Sequence, residues 1–299
     1  MSADKIVLHG IRSDQFRHPF DLEATRALQQ LPGFDLVIRN LLGSVAERFF
    51  YLDNISSSIA VSEAQLPHLH KLLTEACEIL DLDVPQLYLR QNPQPNAYTF
   101  AMRGQQPFIV LHTSLVDMLS AEEIQAVIAH ELGHLKCEHG VYLTLANIIL
   151  LASGELPLGV LVAQSLQAQI LQWVRCAEFT CDRAALLVAQ DSRTVASVLM
   201  KLTGGSPLLA SQLSLDAFLE QARSYDRVSA DDLGKLLKEA QVSQLTHPLP
   251  VLRAREIERW SASQNYQALL SKGAIAYNGK TTLSGAPAGS ASGGGWRNW

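Results

Sequence analysis

The chain has 299 residues and a mass of 32.8 kDa, enough for one or two domains with an ample core. Its 47% hydrophobic content excludes a disordered chain, and a net charge of −5 with no long Lys/Arg block argues against a general nucleic-acid binder. Charged residues reach only 18% and mean hydropathy is +0.08, which keeps membrane contact within reach.

Residues 1–60 read as a helical lead-in, with a short helix over 21–31 stopped by Pro32-Gly33. Apolar residues at helical spacing continue from Phe34 to Tyr51. Residues 62–80 form a clearer helix, with Leu66, Leu69, Leu72, Leu73, Ala76, Ile79 and Leu80 at steps of three and four and Ser62 as its expected cap. Gln86–Arg90, Ala97–Arg103 and Phe108–Leu111 then read as strands separated by Pro/Asn- and Gly/Pro-containing turns. The sheet they form is expected to be antiparallel in part. Beyond Thr113 the pattern is helical, over 121–139, 141–152, 157–189, 193–203, 207–223, 230–241 and 249–262. The tail, 263–299, is Ser/Gly/Ala-rich after 284 and is expected to be disordered there. The fold class is therefore α+β and predominantly helical, with one main domain over 61–262.

Val141–Ala163 is long enough to span a bilayer, but Glu155 and Pro157 interrupt it. A buried helical hairpin is expected, with peripheral membrane contact as the alternative. The four cysteines, Cys77, Cys137, Cys176 and Cys181, contain no CxxC pair, and the first residues lack a signal-peptide core. Free thiols and a cytoplasmic setting follow, with membrane association as the alternative.

The informative pentapeptide is His130-Glu-Leu-Gly-His134. Residues four apart share a helix face, so two imidazoles can meet one Zn²⁺, with Glu131 beside them to activate a water. The helical context is supplied by the capping box Ser120-Ala-Glu-Glu123 and by Ile124, Val127, Ile128, Leu132 and Leu135. A hydrolytic zinc needs a third protein ligand. A Gly at 137 and a His at 140 would mark a metzincin, but those positions hold Cys137 and Gly140. His139 falls on the wrong face and reads as a solvated helix end. Glu155 and Glu178 remain. Glu178 is preferred because Asp182, one turn on, can accept a hydrogen bond from a ligand imidazole.

These motifs, followed by Thr246-His247-Pro248 and Arg253 and preceded by Pro95-Asn96-Ala97-Tyr98, resemble the zinc peptidase family of HtpX and the type I CAAX prenyl proteases. The resemblance spans roughly residues 60 to 260, where the motifs fall. It implies a zincin-like domain and one zinc per chain, held by His130, His134 and Glu178, with Glu131 as general base and Asp182 orienting a ligand. It implies that His247 and Arg253 lie over the zinc and stabilise developing negative charge. It also implies that Asn96, Ala97 and the edge strand Phe108, Ile109, Val110 and Leu111 bind an extended peptide or unfolded protein as an added strand. The expected activity is zinc-dependent endopeptidase. The rival is a non-catalytic interaction protein with a structural zinc whose fourth ligand is Cys137 or Cys181. Oligomeric state is not readable from the sequence.

Overall fold

The computed structural model describes residues 5–29, 45–101, 107–140, 159–242, 245, 247–277 and 280–282. Strand β1 (Ile6–Val7) and helix α1 (Pro19–Gln29) open the chain. Helix α2 (Val45–Ser57), strand β2 (Ile59–Ala60) and helix α3 (Pro67–Leu80) follow. Strands β3 (Gln86–Arg90), β4 (Ala97–Phe100) and β5 (Phe108–His112) lead into α4 (Thr113–Met118) and α5 (Ala121–Lys136). The long α6 (Gly159–Ala189) is followed by α7 (Ser192–Gly204), α8 (Leu215–Val228), α9 (Asp232–Val242), α10 (Pro250–Ser261) and α11 (Gln264–Ser271). Strands β6 (Ala274–Tyr277) and β7 (Lys280–Thr282) join β1 in a second small sheet. The helical pattern after Thr113 held no sign of these two strands. The expectations for residues 30–44, 102–103, 141–158, 246 and the tail beyond 282 lie outside the described residues.

Helix α5 carries the pentapeptide, and its start is fixed as the sequence implied. The Ser120 hydroxyl accepts from the Glu123 amide, and the Glu123 carboxylate accepts from the Ser120 amide at 2.8 Å. Glu123 also receives Ser197 Oγ and Lys201 Nζ, each at 2.6 Å, and so ties α5 to α7. Burial alone would raise the Glu123 pKa, but Lys201 and Ser197 outweigh it and hold the carboxyl below its ordinary value.

The sheet order is β2-β3-β5-β4, with β3 and β5 parallel and the other pairs antiparallel. This corrects the expected edge strand. Phe108–Leu111 lies inside the sheet, paired on both sides and fully buried, so its backbone groups are not available to a peptide. The strands at the edges are β2 and β4, and β4, the one next to β5, has half-buried residues. Two helix starts also differ from expectation. Ser62 does not cap α3; it closes a turn with Gln65, and the helix begins at Pro67 after a left-handed Leu66. Proline favours the first helical position and disfavours helix in the residue before it. Similarly, Ser206-Pro207 opens only a turn and a short 3-10 segment (Ala210–Gln212), and α8 starts where the Ser214 hydroxyl accepts from the Ala217 amide.

One continuous apolar core joins these parts. It contains Val7, Leu8, Ile11 and Phe16 from the N-terminal stretch, the inner faces of α3, β5, α5 and α6, and Tyr266 and Leu269 from α11. At its centre α5 and α6 pack without clearance: a Cβ on Gly133 would sit 2.9 Å from Ala184 Cβ and 3.0 Å from Cys181 Cα. Gly133→Val is therefore expected to cost about 1–3 kcal/mol through overpacking, read as a lower urea midpoint; an unchanged midpoint would show that the two helices are free to separate.

Candidate metal centre and active site

His130 and His134 project from one face of α5, with ring centroids 5.2 Å apart. Glu178 reaches them from α6. Its Oε2 is 3.4 Å from His130 Nε2, and its Oε1 is 3.4 Å from His134 Nε2. Two ligand atoms on a tetrahedral ion with bonds near 2.0–2.1 Å stand about 3.4 Å apart. The three side chains thus fit a single metal ion lying among both Nε2 atoms and the carboxylate. Glu178 is 5% exposed. Burial opposes its charge, but the two imidazoles hold its pKa well below the ordinary carboxylate range.

Both imidazoles are also held from behind. His130 Nδ1 meets Asp182 Oδ1 at 3.1 Å. Asp182 is clamped by the Arg253 guanidinium, with Nε at 2.7 Å from Oδ2 and Nη2 at 2.6 Å from Oδ1. This is the planar two-point pairing for which arginine is suited. Burial would raise the Asp182 pKa, but Arg253 and His130 keep it below its ordinary value. Burial would lower His130, yet Asp182 and Glu178 raise it to about 10. The two carboxylates therefore favour a positive charge at this point, the condition a cation site needs.

His134 Nδ1 lies 3.1 Å from His139 Nδ1. This overturns the reading of His139 as a solvated helix end, since it is fully buried. The helix stops at Lys136, and Glu138 takes a left-handed conformation (φ 58°), which turns the chain inward instead of carrying His139 onward around the helix. Arg17 caps this turn by donating to the Cys137 carbonyl. Burial is the main cause that lowers His139 to about 4, so its ring is neutral near pH 7.

Glu131 is 7% exposed and lies beside the two imidazoles. The Thr99 hydroxyl of β4 donates to Glu131 Oε2 at 2.8 Å. Sequence reasoning missed Thr99; it is an ordinary strand residue until β4 is seen to pack on α5. His247 Nε2 is 3.7 Å from Glu178 Oε1, and Arg253 Nη1 is 3.7 Å from Glu178 Oε2. Both thus border the same carboxylate from α10 and the segment before it. His247 is 68% exposed, whereas Arg253 is only 13% exposed.

A cleft of about 440 Å³ opens on this cluster. Asn96 and Ala97 line one side, and His247 and Arg253 another. Its apolar wall is built by Val127 of α5 and by Val195, Val198 and Leu199 of α7. Phe108 to Leu111 do not line it.

A ring nitrogen of each of His130 and His134 also lies within 4.8 Å of Cys181 Sγ. The thiol, however, contacts His139 Nδ1 at 3.6 Å, behind His134, and burial raises its pKa well above the ordinary thiol value. The Cys137 thiol is likewise pushed up to about 12, first by burial. All four cysteines are buried and free. Among the described residues, no helix is long and apolar enough to cross a membrane.

Fold and site together define a metallopeptidase. The chain belongs to peptidase family M48, whose profile matches residues 63–261. It is 55% identical over 268 residues to the plastoglobule-localized metallopeptidase 48, chloroplastic, of Arabidopsis thaliana, covering 89% of this chain and 78% of the relative. It is 27% identical over 221 residues to protease HtpX homolog 2 of Methanosarcina mazei, covering 64% of this chain and 69% of the relative. The solved structure of S. mikatae Ste24p aligns with 80% of this chain and 61% of its own, at 17% identity and a TM-score of 0.41. The protein is accordingly a metal-dependent protease, and the non-catalytic reading is not favoured.

Cys137→Ser and Cys181→Ser are expected to retain the full metal content and protease activity of the wild type. Loss of the metal from a folded Cys181→Ser variant would instead make the thiol a ligand.

Proposed function

We propose that the metal is zinc, held by His130 Nε2, His134 Nε2 and Glu178, and that the protein is an endopeptidase acting on extended peptide or unfolded protein segments. The observation that carries this reading is the placement of the Glu178 oxygens at 3.4 Å from both Nε2 atoms, while each Nδ1 has a partner behind it. Zinc at that point would supply a Lewis acid that acidifies a water and polarises the substrate carbonyl.

The chain's own residues do the rest. Glu131 takes a proton from the attacking water and delivers it to the leaving amine, and the second proton of that water follows, so that one water and one peptide bond become a carboxylate and an ammonium group. Thr99 occupies Oε2 of Glu131 and leaves Oε1 for that exchange. Asp182 fixes the ring of His130, and Arg253 fixes Asp182. His247 Nε2 and Arg253 Nη1 are the donors nearest Glu178, and they face the charge that develops on the carbonyl oxygen.

The peptide is proposed to pair with the exposed edge of β4, beside Asn96 and Ala97, in place of the interior strand β5. Backbone pairing of that kind makes little demand on sequence. The apolar wall of Val127, Val195, Val198 and Leu199 favours an apolar substrate side chain in the cleft. Peripheral membrane contact through 141–163 remains part of the proposal for where the enzyme works. The cytoplasmic expectation gains no support from the Arabidopsis relative, whose name places it at the plastoglobule of the chloroplast.

Two measurements test the assignment. Glu131→Gln is expected to keep its zinc but lose casein hydrolysis by about a hundredfold or more; wild-type turnover in the metal-loaded variant would remove Glu131 from the mechanism. Glu178→Ala is expected to lower zinc content far more than Glu155→Ala, and the reverse order in metal analysis would move the third ligand to Glu155.

A further inference from the structure

Resting on the reading that His134 is a metal ligand, we propose that Asp21 is a positioning residue of the metal site: acting through His139, it fixes the His134 ring with Nδ1 protonated and Nε2 free for the metal. Asp21 lies on α1, outside the segment that matches the family profile.

The geometry is a continuous buried line. His134 Nδ1 is 3.1 Å from His139 Nδ1, and His139 Nε2 is 3.2 Å from Asp21 Oδ2. The side chains of His139 and Asp21 are both fully buried. Asp21 itself is held in place by Thr180 Oγ1 at 2.7 Å, Trp173 Nε1 at 3.1 Å and Thr25 Oγ1 at 3.2 Å, with Arg17 Nη1 at 3.6 Å. Thr180 and Trp173 come from α6, the same helix that supplies Glu178 and Asp182. The carboxylate therefore sits in a prepared socket, and its Oδ2 is aimed at His139.

The proton positions follow from one end of this line. A carboxylate only accepts hydrogen bonds, so His139 must carry its proton on Nε2. Its Nδ1 is then a bare acceptor; the Cys181 thiol at 3.6 Å is a weak and distant donor, and a second bare lone pair on His134 Nδ1 at 3.1 Å would repel it, so the His134 nitrogen is the one that donates. His134 thus carries its proton on Nδ1, and its Nε2 lone pair points to the place that Glu178 also faces. His130 receives the same instruction directly from Asp182, whereas His134 receives it through one intervening imidazole. Backing by a carboxylate fixes the tautomer and orientation of a ligand histidine and raises its basicity.

An amide at position 21 breaks the line. Asp21→Asn keeps the shape of the side chain but removes the charge, and its amide nitrogen can turn a donor toward His139 Nε2. His139 would then place its proton on Nδ1 and force the proton of His134 onto Nε2, where the metal binds. The expected result is a 10–100-fold weaker zinc affinity, read by competition with a chelator on the full chain. Leu73→Ala on α3, which lies in the same core but outside the Asp21 socket, serves as the stability control. It is expected to lower the unfolding midpoint while leaving zinc affinity within about twofold, well inside the range expected for a lost backing group. Wild-type affinity in Asp21→Asn, or an equal loss in Leu73→Ala, would make Asp21 a structural anchor only.

A second readout needs no variant. Long-range ¹⁵N–¹H spectra of the zinc-loaded wild type should show His134 protonated on Nδ1 and His139 on Nε2. A His139 protonated on Nδ1 overturns the proposal even if Asp21→Asn does not fold. Failure of the underlying reading looks different: a folded His134→Ala that keeps wild-type zinc affinity removes His134 from the ligand set altogether.

Discussion

The close approach of α5 and α6 at Gly133 is the constraint on which the site depends. Gly133, the residue before His134, has no side chain, and only for that reason can α6 come near enough to place Glu178 against both imidazoles. A Cβ at this point would meet Ala184 and the backbone of Cys181, so the helices would have to separate. Separation by even a few tenths of an ångström would spoil distances of 3.4 Å that suit a tetrahedral ion. Packing of a dense core and the proposed coordination of a metal thus rest on the same contact.

Around that contact the charges are arranged in alternation. Arg253 neutralises Asp182, Asp182 backs His130, and Glu178 lies between the imidazoles. On the other side Arg17, Asp21 and His139 form a comparable series behind His134. Each of these buried charges has a partner of opposite sign or a hydrogen-bond donor, which is the condition for keeping ionised groups in a core. The N-terminal stretch takes part in this arrangement in two ways. Arg17 closes the end of α5 through the Cys137 carbonyl, and Arg183 of α6 donates back to the Phe16 and Arg17 carbonyls.

Much of the site could be read from local patterns. Residues four apart on one helix announced His130 with His134 and Glu178 with Asp182, and Ser120 with Glu123 announced where α5 begins. These signals are short-range, so helix geometry alone brings the residues together. Thr99, Asp21 and the true place of His139 were not legible. Thr99 meets Glu131 only because β4 packs across α5, and Asp21 meets His139 across 118 positions of chain. His139 misled because helical spacing was carried past Lys136, whereas Glu138 turns left-handed there. Strand β5 misled for a related reason. An apolar run marks a buried strand, but which neighbour covers each edge is decided by the rest of the sheet.

The central claim is that one ion sits between two imidazole Nε2 atoms and a carboxylate, with no thiol bound. X-ray absorption at the zinc edge of the loaded protein tests this most directly. The account predicts nitrogen and oxygen scatterers at about 2.0–2.1 Å, with the multiple scattering of two imidazoles and no sulfur. A sulfur shell at about 2.3 Å would contradict it and place Cys181 on the metal.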